Sequence, residues 1–286
     1  MDFGNPGRRP LTLGLIGAGL WGKELLRAVS GDRYVFAKVK TVCDIAATEQ
    51  PKVAAAWPEL TFVDDYRRVL DDPAIEAVAV ATPTHRHTPL VLAALAAGKH
   101  VWCAAPLANT VDEVAAMMRA AVAAQRFFEP GLYRRRFPLQ SVVPTQMVQG
   151  PPLWQLVSLR SQWRQRENWR RPGATPERSR ERSWRCYAES SLGPALELGV
   201  HQIDTLCYWS GRRPTQVSGE GCTTTWATEG WEVPDTTYLR LDLPSVVSAE
   251  VESSTATSAG GRRDEVRALG RSVLYLDRGE RSEQYM

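Results

Sequence analysis

The sequence predicts an α/β chain in two parts. A doubly wound parallel sheet comes first, over residues 1–128, and an α+β domain with a mostly antiparallel sheet follows over residues 129–286. Three observations predict it. The apolar run Leu11–Ile16 breaks into Gly17-Ala18-Gly19-Leu20-Trp21-Gly22 and resumes in helix-compatible residues. Strand-like and helix-like runs then alternate as far as Tyr133, the pattern of a parallel sheet with crossover helices. Beyond Val217, short β-rich runs follow one another across Gly, Pro and Asp turns, and short connections favour antiparallel pairing.

Taken in order, residues 1–10 are a polar Gly/Pro-rich leader. At the turn that follows, Gly17 allows the tight bend and Gly19 lets backbone approach a pyrophosphate. Gly22 lets the next helix lie close to the strand. Leu25, Leu26, Ala28 and Val29 continue that helix, whose N-terminus offers free N–H groups and a partial positive charge to phosphates. Strand, glycine turn and helix in this order make residues 17–22, with Ala18, Leu20 and Trp21 between the glycines, a candidate dinucleotide-binding turn of Rossmann type.

Thr41-Val42-Cys43 is the second strand, closed by Asp44, which lies 27 residues beyond Gly17. The fingerprint places an acidic residue about 20 residues on, at that strand's end, to bond the adenosine ribose hydroxyls. A carboxylate there repels a 2′-phosphate, so NAD is expected rather than NADP; a plain strand-end cap is the competing reading of Asp44. Residues 49–57 and 66–70 read as short helices, the second with Asp64 and Asp65 as cap candidates. Residues 77–81, Ala-Val-Ala-Val-Ala, read as a fully buried parallel strand that breaks into a turn over residues 82–89. A helix over 90–97, a strand over 99–103, a helix over 111–125 capped by Asn109 or Thr110, and a strand over 127–133 complete the first part. In such sheets ligands bind beyond the carboxyl ends of the strands, so the turns after Ile16, Cys43, Ala81 and Cys103 share the candidate edge.

In the second part a strand over 153–160 precedes a polar, basic, Trp-bearing loop over 164–184 and a helix over 194–208. Strands are then expected over 217–226, 237–243, 246–254, 265–269 and 272–276. Two of these alternate cleanly. Val247, Ala249 and Val251 oppose Ser248, Glu250, Glu252 and Ser254, while Leu239, Leu241 and Leu243 oppose Tyr238, Arg240 and Asp242. One face of the sheet is therefore apolar and the other charged.

Composition narrows the function class. No apolar run approaches the roughly 18 residues of a membrane helix. The start, MDFGNPGRRP, has no signal-peptide core, so a cytoplasmic protein is expected. Five scattered cysteines without a C-x-x-C read as reduced thiols. His85 and His87 have no carboxylate or cysteine nearby in sequence, so no metal is expected. Lysine is absent after Lys99, and between Arg134 and Arg185 twelve arginines face three glutamates. That run is either a solvated basic surface or a cleft that holds an anionic small molecule through bidentate arginines. It contains no nucleic-acid module.

Three stretches in order and spacing resemble the glucose–fructose oxidoreductase, inositol dehydrogenase and rhizopine-catabolism family, Gfo/Idh/MocA. They are GLIGAGLWG, ATPTHRHTPLVLAALAAGKHVWCAAPLANTVDE and GPALELGVHQIDTLCYWSG. The resemblance implies a Rossmann domain followed by an α+β domain with an open, mostly antiparallel sheet. It also implies NAD or NADP, sugar or cyclitol substrates, and dimers or tetramers formed through the sheet. It places Thr82, Pro83 and His87 near the nicotinamide, with Ala104, Ala105 and Pro106 where the family carries Glu-Lys-Pro. Glu197, Gly199, His201 and Asp204 stand where it carries Asp-x-Gly-x-His-x-x-Asp. The family's lysine lies beside the reacting carbon, and here it is Ala105. The chain also ends soon after Leu276, where many members continue.

Hydride transfer to or from an alcohol carbon needs a group that moves the hydroxyl proton. His201 is the candidate, with Glu197 four residues earlier to orient it; Tyr187 is a weaker proton donor. A buried histidine satisfied by a neighbouring carboxylate is the plain alternative. Arg135, Trp163, Trp184 and Arg185 are candidate substrate contacts, suited to an anionic sugar. The sequence thus reads as an NAD-dependent oxidoreductase with altered catalysis, or as a catalytically inactive NAD-binding regulator or partner subunit. A homodimer through the charged sheet face is expected.

Overall fold

The computed structural model describes residues 9–30, 36–133, 156–246, 248–256, 263–270, 274–277 and 282–285. Two compact units divide the chain, Met1–Gly131 and Leu132–Met286. Among the described residues, no helix is long and apolar enough to cross a membrane.

The first unit is a parallel six-stranded sheet in the order β3-β2-β1-β4-β5-β6. Its strands are β1 (Leu11–Ile16), β2 (Ala37–Cys43), β3 (Thr61–Val63), β4 (Ala77–Val80), β5 (His100–Ala104) and β6 (Phe128–Gly131). Five helices connect them: α1 (Leu20–Val29), α2 (Gln50–Ala56), α3 (Arg67–Leu70), α4 (His87–Ala96) and α5 (Val111–Ala124). Alternation along the strands sorts the core onto two faces. Leu15, Val42 and Ala79 pack with Leu26 and Val53 of α1 and α2. Ile16, Val78, Val80, Val101 and Cys103 pack with Val91, Leu95, Met117 and Ala121 of α4 and α5. Covering both faces is what lets central strands be apolar throughout.

Register sets the functional edge. Ile16 lies beside Cys43 and Val80, and Val80 beside Cys103, so four strands end level. The turns that follow them meet at the carboxyl edge, where the strand order reverses between β1 and β4. Lys99 sits at the other end of the sheet. Its Nζ donates to the Asp72 and Ile75 carbonyls at 2.7 and 2.8 Å, far from the place of the family's lysine.

The second unit is a seven-stranded mixed sheet in the order β13-β12-β11-β7-β10-β9-β8. The strands are β7 (Leu156–Arg164), β8 (Gln216–Cys222), β9 (Thr236–Asp242), β10 (Ser248–Ser254), β11 (Arg263–Gly270), β12 (Leu274–Asp277) and β13 (Ser282–Tyr285). Every pair is antiparallel except β7 with β10. The helices are α6 (Pro176–Arg182), α7 (Pro194–Glu197) and α8 (Gly199–Ser210). Leu206 and Trp209 of α8 pack on the apolar face, against Leu159, Leu241, Ala249, Val251 and Val266. Gln202 fastens the helix to that face: its Nε2 donates to the Glu252 carbonyl at 2.9 Å and to Ser161 Oγ at 3.1 Å, while its Oε1 accepts from Ser253 Oγ.

Several expectations change. Strand β7 continues through Trp163 and Arg164, residues expected at or beside the start of the loop. Helix α4 opens at His87, three residues early, because a 3₁₀ turn over Thr84–Arg86 leads directly into it. The helix expected over 194–208 is two helices. The Leu198 N–H closes the first on the Pro194 carbonyl, and the His201 N–H restarts on the Leu198 carbonyl, at 3.1 Å each. Strands β3 and β13 were not anticipated. On the charged face Glu252 is buried, because Arg164 and Gln162 close over it.

Candidate functional site

The glycine turn has the shape its spacing predicts. Gly17 adopts φ +102°, and a Cβ there would lie 2.7 Å from the Ala81 backbone. A Cβ on Gly22 would lie 1.9 Å from the Gly17 carbonyl oxygen, so only glycine lets α1 approach β1 this closely. Gly19 differs: a Cβ built on it meets nothing within 4 Å among the described residues. Those residues leave the space in front of Gly19 unfilled. Gly19 caps α1 without a side-chain acceptor, and the first turn of the helix holds no acid, so its N–H groups face that space uncompensated. Leu20 and Trp21 are exposed on the rim.

Asp44 is joined to the same turn. One carboxylate oxygen accepts from the Ala18 N–H at 2.7 Å and the other from the Ala46 N–H at 2.8 Å. Both bonds fix the carboxylate at the end of β2, and each oxygen keeps a further lone pair for a hydroxyl donor. The strand-end cap and the ribose reading are therefore compatible in one side chain. Turn, open space and carboxylate fit a dinucleotide whose pyrophosphate lies over Gly19.

The neighbouring loops of the edge are tied by His87. Its Nε2 lies 2.8 Å from the Thr82 carbonyl, and its Nδ1 lies 3.0 and 3.1 Å from those of Pro106 and Leu107. The ring is buried and joins the loop after β4 to the loop after β5. Thr82 Oγ1 is buried with no hydrogen-bond partner among the described residues. Pro83 leads the 3₁₀ turn, Ala104 ends β5, and Ala105 and Pro106 are joined by a cis peptide bond.

In the second unit His201 stands in the first turn of α8, with its ring 5.3 Å from that of Tyr133 and 6.1 Å from that of Trp163. Glu197 ends α7; its carboxylate accepts from Arg185 Nε at 3.1 Å and Ser191 Oγ at 3.3 Å. Arg185 in turn lies over the Trp184 ring at 4.3 Å. Trp163 and Trp184 are both buried, so neither presents an open ring face. Tyr187 is buried too. Its hydroxyl accepts from Arg170 at 3.2 Å and its ring lies 4.0 Å beneath Arg180. Arg135 lies outside the described residues.

Among the described residues the arginines of this run are mostly engaged within the unit. Arg164 pairs with Glu252, Arg178 with Glu181 and Arg180 with Glu189, while Arg170, Arg171 and Arg182 donate to loop carbonyls. Arg185 is different. Its Nε is held by Glu197, and its two Nη atoms make no hydrogen bond among the described residues. A fixed guanidinium with its outer edge open can take a carboxylate or another polar oxygen pair. Sequence reasoning passed over Gln202, which sits beside His201 and seats α8 on the sheet; a buried amide has no sequence signature.

Comparison with known proteins agrees with this architecture. Residues 11–132 match the model of the oxidoreductase family with the NAD-binding Rossmann fold, and residues 155–272 match the Gfo/Idh/MocA C-terminal domain. The levoglucosan dehydrogenase of Pseudarthrobacter phenanthrenivorans is 31% identical over 208 residues, which are 70% of this chain and 51% of that protein. The inositol 2-dehydrogenase of Acidothermus cellulolyticus is 34% identical over 128 residues, 44% of this chain and 37% of that one. The chain thus spans about half the length of the first of these relatives and less of the second. A solved structure of levoglucosan dehydrogenase in complex with NADH superposes with a TM-score of 0.78 at 21% identity, covering 97% of this chain and 79% of that one, a likeness of fold. With both of the family's domain models matched in order, the chain belongs to the Gfo/Idh/MocA oxidoreductase family, and its first unit is that family's NAD-binding Rossmann fold.

Proposed function

We propose that the chain is an NAD-dependent oxidoreductase acting on a sugar, a cyclitol or a related small molecule, anionic sugars included, with catalysis altered at Ala105. The observation that carries it is the unfilled space before Gly19, bounded by Gly17, Gly22 and the anchored Asp44 carboxylate. When bound, the nicotinamide accepts or delivers the hydride. The protein's own residues hold and orient. The N–H groups of α1 face the pyrophosphate, Asp44 accepts from the ribose hydroxyls, and His87 keeps the Thr82 and Pro106 loops together. His201 moves the proton of the substrate hydroxyl, a task imidazole performs in both directions near neutral pH. Arg185 offers its open Nη edge to the substrate, and Glu197 holds that edge in place.

Titration with NADH, followed by nicotinamide fluorescence, tests the cofactor reading. NADH is expected to bind more tightly than NADPH, since Asp44 would face a 2′-phosphate. Equal or tighter NADPH binding removes the role of Asp44, and binding of neither removes the site.

A substrate screen with NAD reduction as readout tests the chemistry. His201→Ala should abolish turnover on the best substrate found, and unchanged turnover removes its role. Ala104→Glu with Ala105→Lys should raise turnover, since a lysine can stabilise developing oxyanion charge that alanine cannot. Ala105 also favours a second reading, an NAD-binding regulator or partner subunit without catalysis. Multiple turnovers by the purified chain alone exclude that reading.

A further inference from the structure

The first unit carries an apolar stripe that its fold does not use. Helix α5 buries Met117 and Ala121 in the core, yet on its outer side Val111, Met118 and Val122 are exposed by 83, 59 and 79%. These positions are i, i+7 and i+11, and Ala115 fills the gap between the first two, so they form a single stripe about 16 Å long. Two charges border it on one side only. Asp112 stands near its N-terminal end and Arg119 two turns further on, about 10 Å along the axis and too far apart to pair with each other. Neither makes an ion pair or a side-chain hydrogen bond among the described residues. Their neighbours are engaged: Glu113 closes the capping box with Thr110, and Arg126 donates to the Gly98 and Gln125 carbonyls.

We propose that α5 pairs with the α5 of a second copy of this chain, antiparallel about a two-fold axis. That arrangement sets Val111 of one copy against Val122 of the other, and Ala115 against Met118. It also brings Asp112 of each copy to Arg119 of the other, so one helix supplies both halves of two ion pairs. In a parallel two-fold arrangement the charged flanks of the two helices would lie on opposite sides of the seam, and Asp112 would meet no Arg119. The charges thus select both the orientation and the occupant, because the stripe is complementary to itself. Ala115, within the stripe, lets the two helix backbones come closer than a larger side chain would. Three turns of helix bury less than the roughly 1,000 Å² of a stable independent interface, so the pairing is weak and concentration-dependent.

Sedimentation velocity from low micromolar to near-millimolar concentration tests it. The mean mass should rise with concentration. Arg119→Asp should weaken the association at least tenfold, and Asp112→Arg combined with Arg119→Asp should restore it. Met118→Glu should abolish it while NADH binding, which reports folding of the same unit, stays unchanged. A mass that does not rise overturns the proposal, as does a rise insensitive to Arg119→Asp and Met118→Glu, or a double exchange that fails to restore. The rise should persist in Arg240→Glu, which removes any separate association through the other unit's sheet, starting there from the mass of one chain; its loss in that variant assigns the association elsewhere and overturns the proposal.

Discussion

Two glycines of the same turn divide the work of folding and binding, and their surroundings say which does which. A methyl on Gly22 collides with the Gly17 carbonyl, so Gly22→Ala must push α1 away from β1. Such overpacking costs about 1–3 kcal/mol, and it also moves the N–H groups that face the ligand space. A methyl on Gly19 collides with nothing among the described residues, and the backbone there is extended, which alanine accepts. Gly19→Ala should therefore leave stability within about 1 kcal/mol, the loss of a glycine cap. Its methyl would stand in the space assigned to the pyrophosphate, so NADH affinity should fall at least tenfold. Thermal denaturation and NADH titration on both variants separate the cases: Gly22→Ala lowers both quantities, Gly19→Ala only the second. Wild-type NADH affinity in Gly19→Ala would mean that the space before the turn is not the ligand's.

At the scale of elements, what could be read from the sequence is what depends on neighbours in sequence. The glycine turn, Asp44 at a strand end, and the apolar runs of β1 and β4 are local patterns, and the structure places each as a local pattern should stand. β3 is only three residues long, too short to carry an alternation. Strand β7 alternates Leu159, Ser161 and Trp163 inward with Arg160, Gln162 and Arg164 outward, but serine in the inner row hid the period and arginines suggested a loop. The split between α7 and α8 falls at Leu198, where a Cβ built on Gly199 would lie 3.6 Å from Ser253 Oγ on a distant strand. The parallel pairing of β7 with β10 is equally non-local. The same limit governs the arginines. Counting them shows an excess, but only packing reveals that carboxylates and loop carbonyls occupy most of them and that Arg185 keeps an open edge.

At the scale of the whole molecule, the second unit's sheet leaves its charged face uncovered by the helices that pack on the other. Across its centre Arg240, Glu250, Arg160 and Arg267 lie side by side on β9, β10, β7 and β11, with Arg160 3.7 Å from Glu250. Tyr238 and Glu252 line a cavity of about 310 Å³ beside Ser218, Glu220 and Arg240. Three arginines and one glutamate stand in the row, and a two-fold rotation can set Glu250 of one copy against an arginine of the other. Such an interface is polar and wet at its centre, with Tyr238 and Leu269 as exposed apolar groups among the described residues of the face. A homodimer through this face is the expected assembly. Light scattering at micromolar concentration should return twice the chain mass, and Arg240→Glu, which sets like charges together across the row, should return it to that of one chain. A monomer mass for the unaltered protein would refute the dimer, and a dimer indifferent to Arg240→Glu would move the contact off this face.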